Sequence, residues 1–300
     1  MRIGVFGAGS LGSLLGGLLA RRHEVTLVGR DEHMRAVATE GLKIVGEIER
    51  TAPVAATTDW SGAGDIEVAL VTVKSYDTDA AAEALSKHVP PIVLSIQNGL
   101  GSVNRLSSSL PARSTVLAGV TTYGAVLIEP GVVRCTGRGE VLIGDPDGGP
   151  SAPATEVASA FRLADVNGSA ADDMPRRRWE KLAINAGINP VTALAQVSNG
   201  AVLEDPLRPI AITAAREVAT VAASNGISLD RDTGEALVEI ARQTRDNESS
   251  MARDMRRGRR TEIDAISGSV LDRAQSGEAP VNRVLYGLVA GYERGQNFDR

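Results

Sequence analysis

Cysteine and histidine are scarce in this chain, which has one cysteine, Cys135, and three histidines among its 300 residues. A single cysteine excludes an internal disulfide framework and a cysteine-rich zinc site. The histidines, His23, His33 and His88, stand at no spacing that is typical of metal ligands. The sequence therefore predicts neither a disulfide nor a metal centre.

Long apolar runs and an excess of positive charge are also missing. No stretch approaches the ~18 apolar residues that span a bilayer, and the N-terminus lacks the basic and apolar segments of a signal peptide. The chain has 32 lysines and arginines against 37 aspartates and glutamates, a net charge of −5, whereas nucleic-acid-binding surfaces are basic. We therefore expect a cytoplasmic protein that binds neither membranes nor nucleic acids.

The composition that remains is that of a globular protein, with 43% hydrophobic residues in a chain long enough for one large or two smaller domains. In the first half, short β-branched runs alternate with helical patterns, which is typical of βαβ units around a parallel sheet. The runs cover residues 2–6, 24–28, 67–73, 92–96 and 115–120.

The remainder of the first half predicts an edge to the same sheet. Residues 121–144 contain shorter strand patterns, which we interpret as an antiparallel edge. A helix over 154–163 and a short strand before Asp172 then complete a Rossmann-type dinucleotide-binding domain of residues 1–172.

The second half, residues 173–300, predicts an all-helical domain, so the fold class is α/β with a helical C-terminal domain. One helix spans 176–194, and Pro190 bends or ends it. Asp205 before Pro206 predicts the start of the next helix, which stops at Asn225-Gly226. Asp230 is the predicted cap of the following helix, and the serines at 249 and 250 begin another.

The strongest local motif follows the first strand. A GxGxxG string directly after a strand and before an apolar helix predicts a turn on which a dinucleotide pyrophosphate rests. A glycine-rich turn without a ligand is the alternative. The motif consists of Gly7, Ala8, Gly9, Ser10, Leu11 and Gly12.

The choice between NAD and NADP is expected at the end of the second strand. An NAD site places a carboxylate there, whereas this chain has Arg30, followed by Asp31. An arginine can hold a 2′-phosphate through two hydrogen bonds, which favours NADP. The neighbouring Asp31 leaves NAD open, and a solvated Arg30 is the alternative.

Polar residues also follow two later strands, at the edge where open α/β sheets bind ligands. Lys74 ends the strand pattern of residues 67–73 and is placed to face a cofactor, with a surface lysine as the alternative. Asn98 follows the strand of 92–96, and we interpret it as a contact to nicotinamide ribose or substrate, although turn formation alone would explain it.

In the helical half, Lys181, Asn185 and Asn189 recur at every fourth position and share one helix face. Asparagine is a poor helix-interior residue, and apolar neighbours indicate that the helix is largely buried. A buried amide without a partner is costly, so this row predicts contacts to a polar ligand.

A last polar segment runs from Asn247 to Glu262 and contains five arginines between Arg253 and Arg260. Serines that open a helix act as caps, and the arginines are typical of a solvated face. No aromatic residue lies between them, which argues against nucleic acid as a ligand.

With these motifs the chain resembles the ketopantoate reductase (2-dehydropantoate 2-reductase) family over nearly its whole length. The resemblance runs through GAGSLG, VKS, QNGLG, TTYGA, WEKLAINAGINPVTA and SSMARDMRRGRRTEID. It implies an NADP(H)-dependent oxidoreductase that reduces ketopantoate to (R)-pantoate on the route to pantothenate and coenzyme A. The family pattern varies just before Asn98, where this chain has Gln97.

The resemblance also implies roles for individual residues. The implied cofactor contacts are Gly7 to Gly12, Arg30, Lys74, Asn98, Ala125 and Glu262. The implied substrate contacts are Asn98, Lys181, Asn185, Asn189, Asn199, Asn247 and Ser250, with the serine on the carboxylate. Lys181 is implied to be the proton donor, and Glu262 to support turnover.

The positions of Ser250 and Glu262 pose a geometric question. On one straight helix they would stand roughly 18 Å apart at ~1.5 Å per residue, too far to contact the same atom. Either the helix breaks, with Gly258 as the candidate position, or the two residues serve opposite ends of the cofactor–substrate pair.

Three alternatives to ketopantoate reduction remain at this point. One is reduction of another branched 2-keto acid, one is a non-catalytic NADP(H)-sensing protein, and one is a sugar-acid dehydrogenase. A proton donor such as Lys181 argues against the sensor. The sequence leaves a homodimer through the helical domain open.

Overall fold

The computed structural model describes residues 1–296 and divides into two compact units. The first unit contains residues 1–97 and 102–174, and the second contains residues 98–101 and the chain from Pro175 onward. Residues 297–300 of the predicted helical domain lie outside the described part. Within that part, no helix is long and apolar enough to cross a membrane, and no cluster of three metal-ligating side chains occurs.

The first unit contains all the strands of the described chain. They are β1 (Arg2–Phe6), β2 (Glu24–Val28), β3 (Leu42–Gly46), β4 (Arg50–Ala52), β5 (Ala55–Thr57), β6 (Val68–Val71), β7 (Ile92–Ser95), β8 (Thr115–Thr121), β9 (Gly124–Glu129), β10 (Val132–Gly137), β11 (Val141–Gly144) and β12 (Gly168–Ala170). Its helices are α1 (Ser10–Leu19), α2 (Asp31–Glu40), α3 (Thr78–Lys87), α4 (Ser102–Ser109) and α5 (Ala152–Leu163).

The main sheet has the order β12-β11-β8-β7-β6-β1-β2-β5. The six strands from β8 to β5 run parallel, as the β-branched runs predict, because helices cover both faces and bury strands such as β6 completely. The chain crosses from β2 on one side of β1 to β6 on its other side. The carboxyl end of β1 therefore lies where the strand order reverses, which is the usual ligand position in this fold.

The predicted antiparallel edge over residues 121–144 is only partly right. Strand β11 joins the main sheet antiparallel to β8, but β9 and β10 belong to a separate four-stranded sheet of order β4-β3-β10-β9. The two strands after α2, β3 and β4, complete this second sheet. Sequence analysis missed them because β4 is three residues long and β3 pairs with a strand about 90 residues away.

His33 is one residue that ties α1, α2 and the second sheet together. Its Nδ1 accepts a 2.9 Å hydrogen bond from the Gly131 N–H, and its Nε2 lies 2.9 Å from the Ser13 hydroxyl. Burial lowers the pKa of His33 below its ordinary value. A neutral ring with its proton on Nε2 therefore fits both contacts.

The regular elements of the second unit are all helical among its described residues. Its helices are α6 (Met174–Ala195), α7 (Leu207–Ser224), α8 (Thr233–Gln243), α9 (Ser250–Arg256), α10 (Ser269–Leu271) and α11 (Pro280–Gly295), with a 3-10 turn at Asn199–Leu203 and a π-helical turn at Asp264–Gly268.

Two predicted helix starts differ from the structure. The predicted cap at Asp205 is wrong, because α7 begins at Leu207 and Pro206 occupies the flanking position. The predicted cap at Asp230 is also wrong. Asp232 caps α8 through the Glu235 N–H, whereas Asp230 forms an ion pair with an arginine of α6.

Pro190 does not end α6, which continues to Ala195. Proline removes one N–H from the helix ladder, yet Ile188 and Val191 on either side of it are buried in one apolar cluster. This packing holds the helix on both sides of the proline. Asn189 therefore keeps its place in the row begun by Lys181.

Candidate active site

The turn between β1 and α1 requires glycine at two positions. Gly7 has a φ of +106°, and a Cβ there would lie 2.5 Å from the Val73 backbone nitrogen. A Cβ on Gly12 would lie 2.4 Å from both the Gly7 carbonyl oxygen and the Thr72 hydroxyl. The turn, the end of β6 and α1 are thus packed backbone to backbone.

Gly9 is different, because its missing side chain leaves open space. A Cβ on Gly9 would meet nothing nearer than the Gly7 carbonyl oxygen at 3.9 Å. The N–H groups of the first turn of α1 have no acceptor within the helix, and a ligand can approach them across Gly9. This arrangement fits a dinucleotide pyrophosphate.

Three other residues of the motif have internal partners. The Ala8 N–H donates to the Val28 carbonyl at 2.9 Å, and the Ser10 hydroxyl accepts the Leu127 N–H at 2.9 Å. Leu11 packs against the apolar core of the unit. These contacts shape the turn, so the open backbone N–H groups of α1 are the better candidates for a phosphate.

Arg30 stands beside this turn at the start of α2. It is exposed, and its side chain makes no hydrogen bond or ion pair with residues 1–296. Asp31 is engaged by Arg35 at 2.7 Å on the same helix, and a Cβ on Gly29 would lie 3.0 Å from the Ala8 Cβ. The guanidinium is therefore available close to the glycine turn, whereas the carboxylate beside it is paired.

The loops after β6 and β7 are held by Gln97, which sequence analysis noted only as a variable position. Its buried side chain donates to the Thr78 hydroxyl at 2.8 Å and to the Val73 carbonyl at 3.2 Å, and it accepts from Ser95 at 3.1 Å. Gln97 thereby fixes the backbone next to Lys74.

The implied cofactor residue Ala125 is half-buried on β9, paired with Cys135 of β10. Two residues further along β9, Leu127 makes the backbone contact to Ser10 described above. Ala125 therefore belongs to the strand that borders the start of α1.

In the second unit, the loop of residues 98–101 brings Asn98 to the helical site residues. The Asn98 amide donates a 3.0 Å hydrogen bond to the Glu262 carboxylate, and its oxygen lies 3.4 Å from the Asn185 amide nitrogen. The next residue, Gly99, has a φ of +83°, and a Cβ there would lie 2.2 Å from the Ala265 carbonyl oxygen. This close approach seats the loop on the π-helical turn.

Lys181 is the catalytic candidate, and its environment is strongly desolvating. Burial lowers the pKa of Lys181 to about 8, and the nearby Glu262 carboxylate opposes that shift. No residue of 1–296 forms a hydrogen bond or ion pair with its ammonium group. The ammonium is therefore free to bind a substrate oxygen and poised to release a proton near neutral pH.

Asn189, two turns beyond Lys181 on α6, is 7% exposed. Its side-chain amide has no hydrogen-bond partner among residues 1–296. The amide is therefore open to a polar ligand, and its contact with one stays a prediction.

Asn199 and Asn247 lie together on a neighbouring segment. The Asn199 N–H donates to the Asn247 carbonyl at 2.9 Å, and the Asn199 amide donates to the Thr244 hydroxyl at 3.1 Å. The amide oxygen of Asn199 is buried without a partner. Ser250, half-buried, begins α9 three residues beyond Asn247.

Ser250 and Glu262 do not share a helix. Helix α9 ends at Arg256, and Gly258 has a φ of +61°, which turns the chain back before Glu262. The break at Gly258 is the first of the two possibilities that the sequence left open. Glu262, 5% exposed, then precedes the π-helical turn, a feature frequent at functional sites.

The structure thus brings Asn98, Asn185 and Glu262 into direct contact and places Lys181 beside that carboxylate. It shows no direct hydrogen bond from this group to Ser250. Sequence analysis missed Thr192, a buried threonine on α6 that contacts Ser249, the cap of α9. A hydroxyl within the WEKLAINAGINPVTA motif was the available signal.

Comparisons with known proteins agree along the whole chain. The family model described as ketopantoate reductase PanE/ApbA matches residues 3–148, and the model of its C-terminal part matches residues 173–293. A 2-dehydropantoate 2-reductase of Halobacterium salinarum is 42% identical over 298 residues, 96% of this chain and 98% of that protein. One of Pyrococcus horikoshii is 39% identical over 98% of both chains.

A solved structure gives the same result. The crystal structure of a PanE/ApbA family ketopantoate reductase from Ralstonia eutropha superposes with a TM-score of 0.90 and 32% identity, covering 99% of this chain and 100% of that one. The α/β fold and the enzyme class expected from the sequence are confirmed. This chain belongs to the ketopantoate reductase family of NADPH-dependent oxidoreductases.

Proposed function

We propose that this enzyme reduces 2-dehydropantoate to (R)-pantoate with NADPH, in the biosynthesis of pantothenate and coenzyme A. The observation that carries the proposal is Lys181, a desolvated ammonium group beside Glu262 with no hydrogen-bond partner among residues 1–296. Relatives of 42% and 39% identity bear the name of this reaction.

Residues 1–172 form the NADP(H)-binding domain in this proposal. The open N–H groups after Gly9 hold the pyrophosphate, and Arg30 holds the 2′-phosphate. The other proposed cofactor contacts are Gly7, Ala8, Ser10, Leu11, Gly12, Lys74, Ala125, Asn98 and Glu262. The paired state of Asp31 supports NADP over NAD, because the carboxylate that would hold ribose hydroxyls is engaged by Arg35.

Residues 173–300 carry the substrate and the proton donor, together with Asn98, which packs with that unit. Bound NADPH supplies a hydride to the C2 carbonyl carbon. Lys181 hydrogen-bonds the carbonyl oxygen, stabilises the negative charge that develops there, and donates the proton that completes the hydroxyl. With a pKa of about 8, Lys181 is mostly protonated at neutral pH.

The remaining polar groups orient the keto acid. Ser250 and Asn247 bind the carboxylate, and Asn185 and Asn189 extend along α6 toward the hydroxyl end of the substrate. Fixing the carboxylate and the carbonyl together holds the C2 carbon at one position, which lowers the entropic barrier of the reaction. Asn199 is a further substrate contact in this proposal, supported by its buried amide oxygen, which has no hydrogen-bond partner among residues 1–296.

We place the enzyme in the cytoplasm with a small 2-keto acid and NADP(H) as its ligands and no nucleic acid. We further propose a homodimer, supported by the outer face of α11. Val284, Leu288 and Tyr292 are 60%, 54% and 41% exposed there. Beside them, a Cβ would meet open space at Gly287, Gly291 and Gly295.

This face of α11 is complementary to itself. In an antiparallel two-fold pairing, Leu288 of one copy stands opposite Gly291 of the other, and the same register places Val284 opposite Gly295 and Tyr292 opposite Gly287. Glycine inside a helix is destabilising by about 1 kcal/mol relative to alanine. Gly287 and Gly291 lie inside α11, whereas Gly295 is its last residue, and close approach of a second helix would explain the two interior glycines.

The direct test follows the near-ultraviolet absorbance of the reduced nicotinamide with purified enzyme, ketopantoate, and NADPH or NADH in parallel. We expect rapid oxidation of NADPH and slower oxidation of NADH. Preference for NADH would contradict the role of Arg30 while keeping the reaction. Binding of NADPH without oxidation would contradict the proposed substrate, and a panel of branched 2-keto acids would then identify the alternative.

A further inference from the structure

Two buried hydroxyl groups join α6 to the start of α9. Thr192 is 0% exposed and Ser249 is 5% exposed, and their hydroxyl oxygens lie 2.8 Å apart. Neither residue has an assigned role in substrate or cofactor binding. Each stands next to residues that do: Thr192 lies three positions after Asn189, and Ser249 directly precedes Ser250.

The partners of these hydroxyls define one consistent chain of hydrogen bonds. The Ser249 oxygen accepts the Ala252 N–H at 3.1 Å as the cap of α9. The Thr192 hydroxyl donates to the Ser249 oxygen at 2.8 Å. The Ile188 and Asn189 carbonyls of α6 lie 2.8 Å and 3.2 Å from the same Thr192 oxygen as alternative acceptors. The Ser249 oxygen, which has two lone pairs, therefore accepts from Thr192 and from the first turn of α9 at once.

The hydrogen bond from Thr192 to Ser249 joins the two substrate-binding segments. Thr192 lies on α6 three residues after Asn189, and its oxygen also lies 2.8 Å from the Ile188 carbonyl in the turn that carries Asn185 and Asn189. The Ala252 N–H belongs to the first turn of α9, which Ser250 begins. A connection through buried groups fixes the spacing of the two segments more strictly than apolar packing, because hydrogen bonds are directional.

We propose that Thr192 and Ser249 are positioning residues that hold the carboxylate-binding residues Asn247 and Ser250 in register with the asparagines of α6. The inference rests on the proposed function, since it assigns these segments to one substrate. Neither hydroxyl touches the substrate, and each acts through the backbone that it anchors. Displacement of a bound reactant by about 1 Å can cost 100-fold in rate.

The matched pair of variants is Thr192→Val and Thr192→Ser. Valine keeps the shape of threonine and removes the hydroxyl, whereas serine keeps the hydroxyl. We expect Thr192→Val to raise KM for the keto acid about tenfold and to leave the affinity for NADPH, measured by fluorescence titration, unchanged. Thr192→Ser keeps the hydroxyl group and is expected to have the wild-type KM for the keto acid. An unchanged keto-acid KM in a folded Thr192→Val enzyme would overturn the proposal.

A double-mutant cycle separates this connection from two independent structural roles. Ser249→Gly removes the second hydroxyl, and glycine is tolerated as a helix cap. Because either substitution breaks the same connection, the double variant is expected to raise KM no more than Thr192→Val alone. Multiplication of the two single effects would show that the residues act separately and would contradict the proposal.

Amide hydrogen exchange provides a readout that does not depend on the substrate. In Thr192→Val, we expect faster exchange in residues 247–252 than in the wild type, with Thr192→Ser unchanged. Unaltered exchange would contradict the anchoring role, whatever the substrate. Failure of the wild-type enzyme to reduce ketopantoate, with the exchange result as expected, would contradict only the proposed function.

Discussion

Asn98 contacts Glu262 through a hydrogen bond of 3.0 Å between residues 164 positions apart in the chain. The same side chain lies 3.4 Å from the amide of Asn185. With both ends of the amide engaged, Asn98 has one orientation, and it links the carboxylate beside Lys181 to the asparagine one turn further along α6. We interpret this link as the frame that holds the proposed proton donor in place.

The position of Asn98 depends on its neighbour Gly99. A substitution that adds one carbon atom at Gly99 is therefore expected to disturb the site. In Gly99→Ala, the new Cβ would lie 2.2 Å from the Ala265 carbonyl at a φ of +83°. The loop must shift, so Asn98 leaves Glu262, and we expect kcat/KM to fall about 100-fold. The measurement is steady-state kinetics on folded enzyme.

Gly226→Ala is the matched control for that substitution. Gly226 has a φ of +80°, and its Cβ would meet open space. The backbone strain is thus the same while the collision is absent, and we expect a loss of about 1 kcal/mol in the free energy of unfolding with unchanged kcat. Equal losses of activity in both variants would contradict a specific role for Gly99.

Lys181→Ala tests the proton donor. Removal of a general acid costs typically about 100- to 10,000-fold, and we expect kcat to fall within that range. The affinity for NADPH, measured by fluorescence titration, should stay at the wild-type level. Turnover close to that of the wild type would remove Lys181 from the mechanism.

The lowered pKa of Lys181 predicts a limb in the pH profile. The protonated form is the active one, so kcat/KM is maximal below the pKa of about 8 and falls as pH rises through it. Glu262 raises the pKa of Lys181, so Glu262→Gln should move this limb to lower pH. A limb that stays in place, or moves to higher pH, would contradict the electrostatic coupling of the two residues.

The cofactor preference is expected to depend on Arg30. Loss of a charge-assisted hydrogen bond to a phosphate costs about 1.5–3 kcal/mol, so Arg30→Ala should raise KM for NADPH about 10- to 100-fold and leave KM for NADH nearly unchanged. Arg35→Ala, which removes the partner of Asp31 on the same helix, is the comparison variant. It keeps Arg30 and frees the Asp31 carboxylate, so it should weaken the preference for NADPH less than Arg30→Ala does.

Sequence patterns predicted those elements whose structure is determined by residues close together in the chain. Strands β1 and β2 have the bounds that their β-branched runs predict, because a buried parallel strand is apolar along its length. The row of Lys181, Asn185 and Asn189 was likewise visible, since helical spacing fixes a shared face.

Features that depend on distant residues could not be derived in this way. The second sheet joins β3 to β10 across the sequence, and the contact of Asn98 with Glu262 requires the fold of the whole second unit. The hydroxyl of Thr192 within its motif was the one local signal for this residue, and it did not indicate a role, because a threonine becomes a positioning residue only through the serine that folding brings to it. Family resemblance supplied roles for the binding residues but not these contacts.

The outer face of α11 predicts the oligomeric state. Leu288→Glu places a charge at the centre of the proposed two-fold pairing, and we expect it to convert a dimer to a monomer in sedimentation or light-scattering measurements. Leu163→Glu is the control, because Leu163 is 66% exposed but lies on α5 of the first unit. A buried charge opposite a hydrophobic surface is strongly unfavourable, whereas an exposed one is not.

Gly291→Ala makes the same test without a charge. The added methyl group meets open space within one copy and favours the helix by about 1 kcal/mol, so an isolated subunit is expected to unfold at a higher temperature. In the pairing, the methyl group stands against Leu288 of the second copy, and association should weaken. Opposite signs for subunit stability and dimer affinity follow only if α11 faces another helix. A monomeric wild-type protein would contradict the proposed pairing. So would a dimer whose affinity changes in neither Leu288→Glu nor Gly291→Ala.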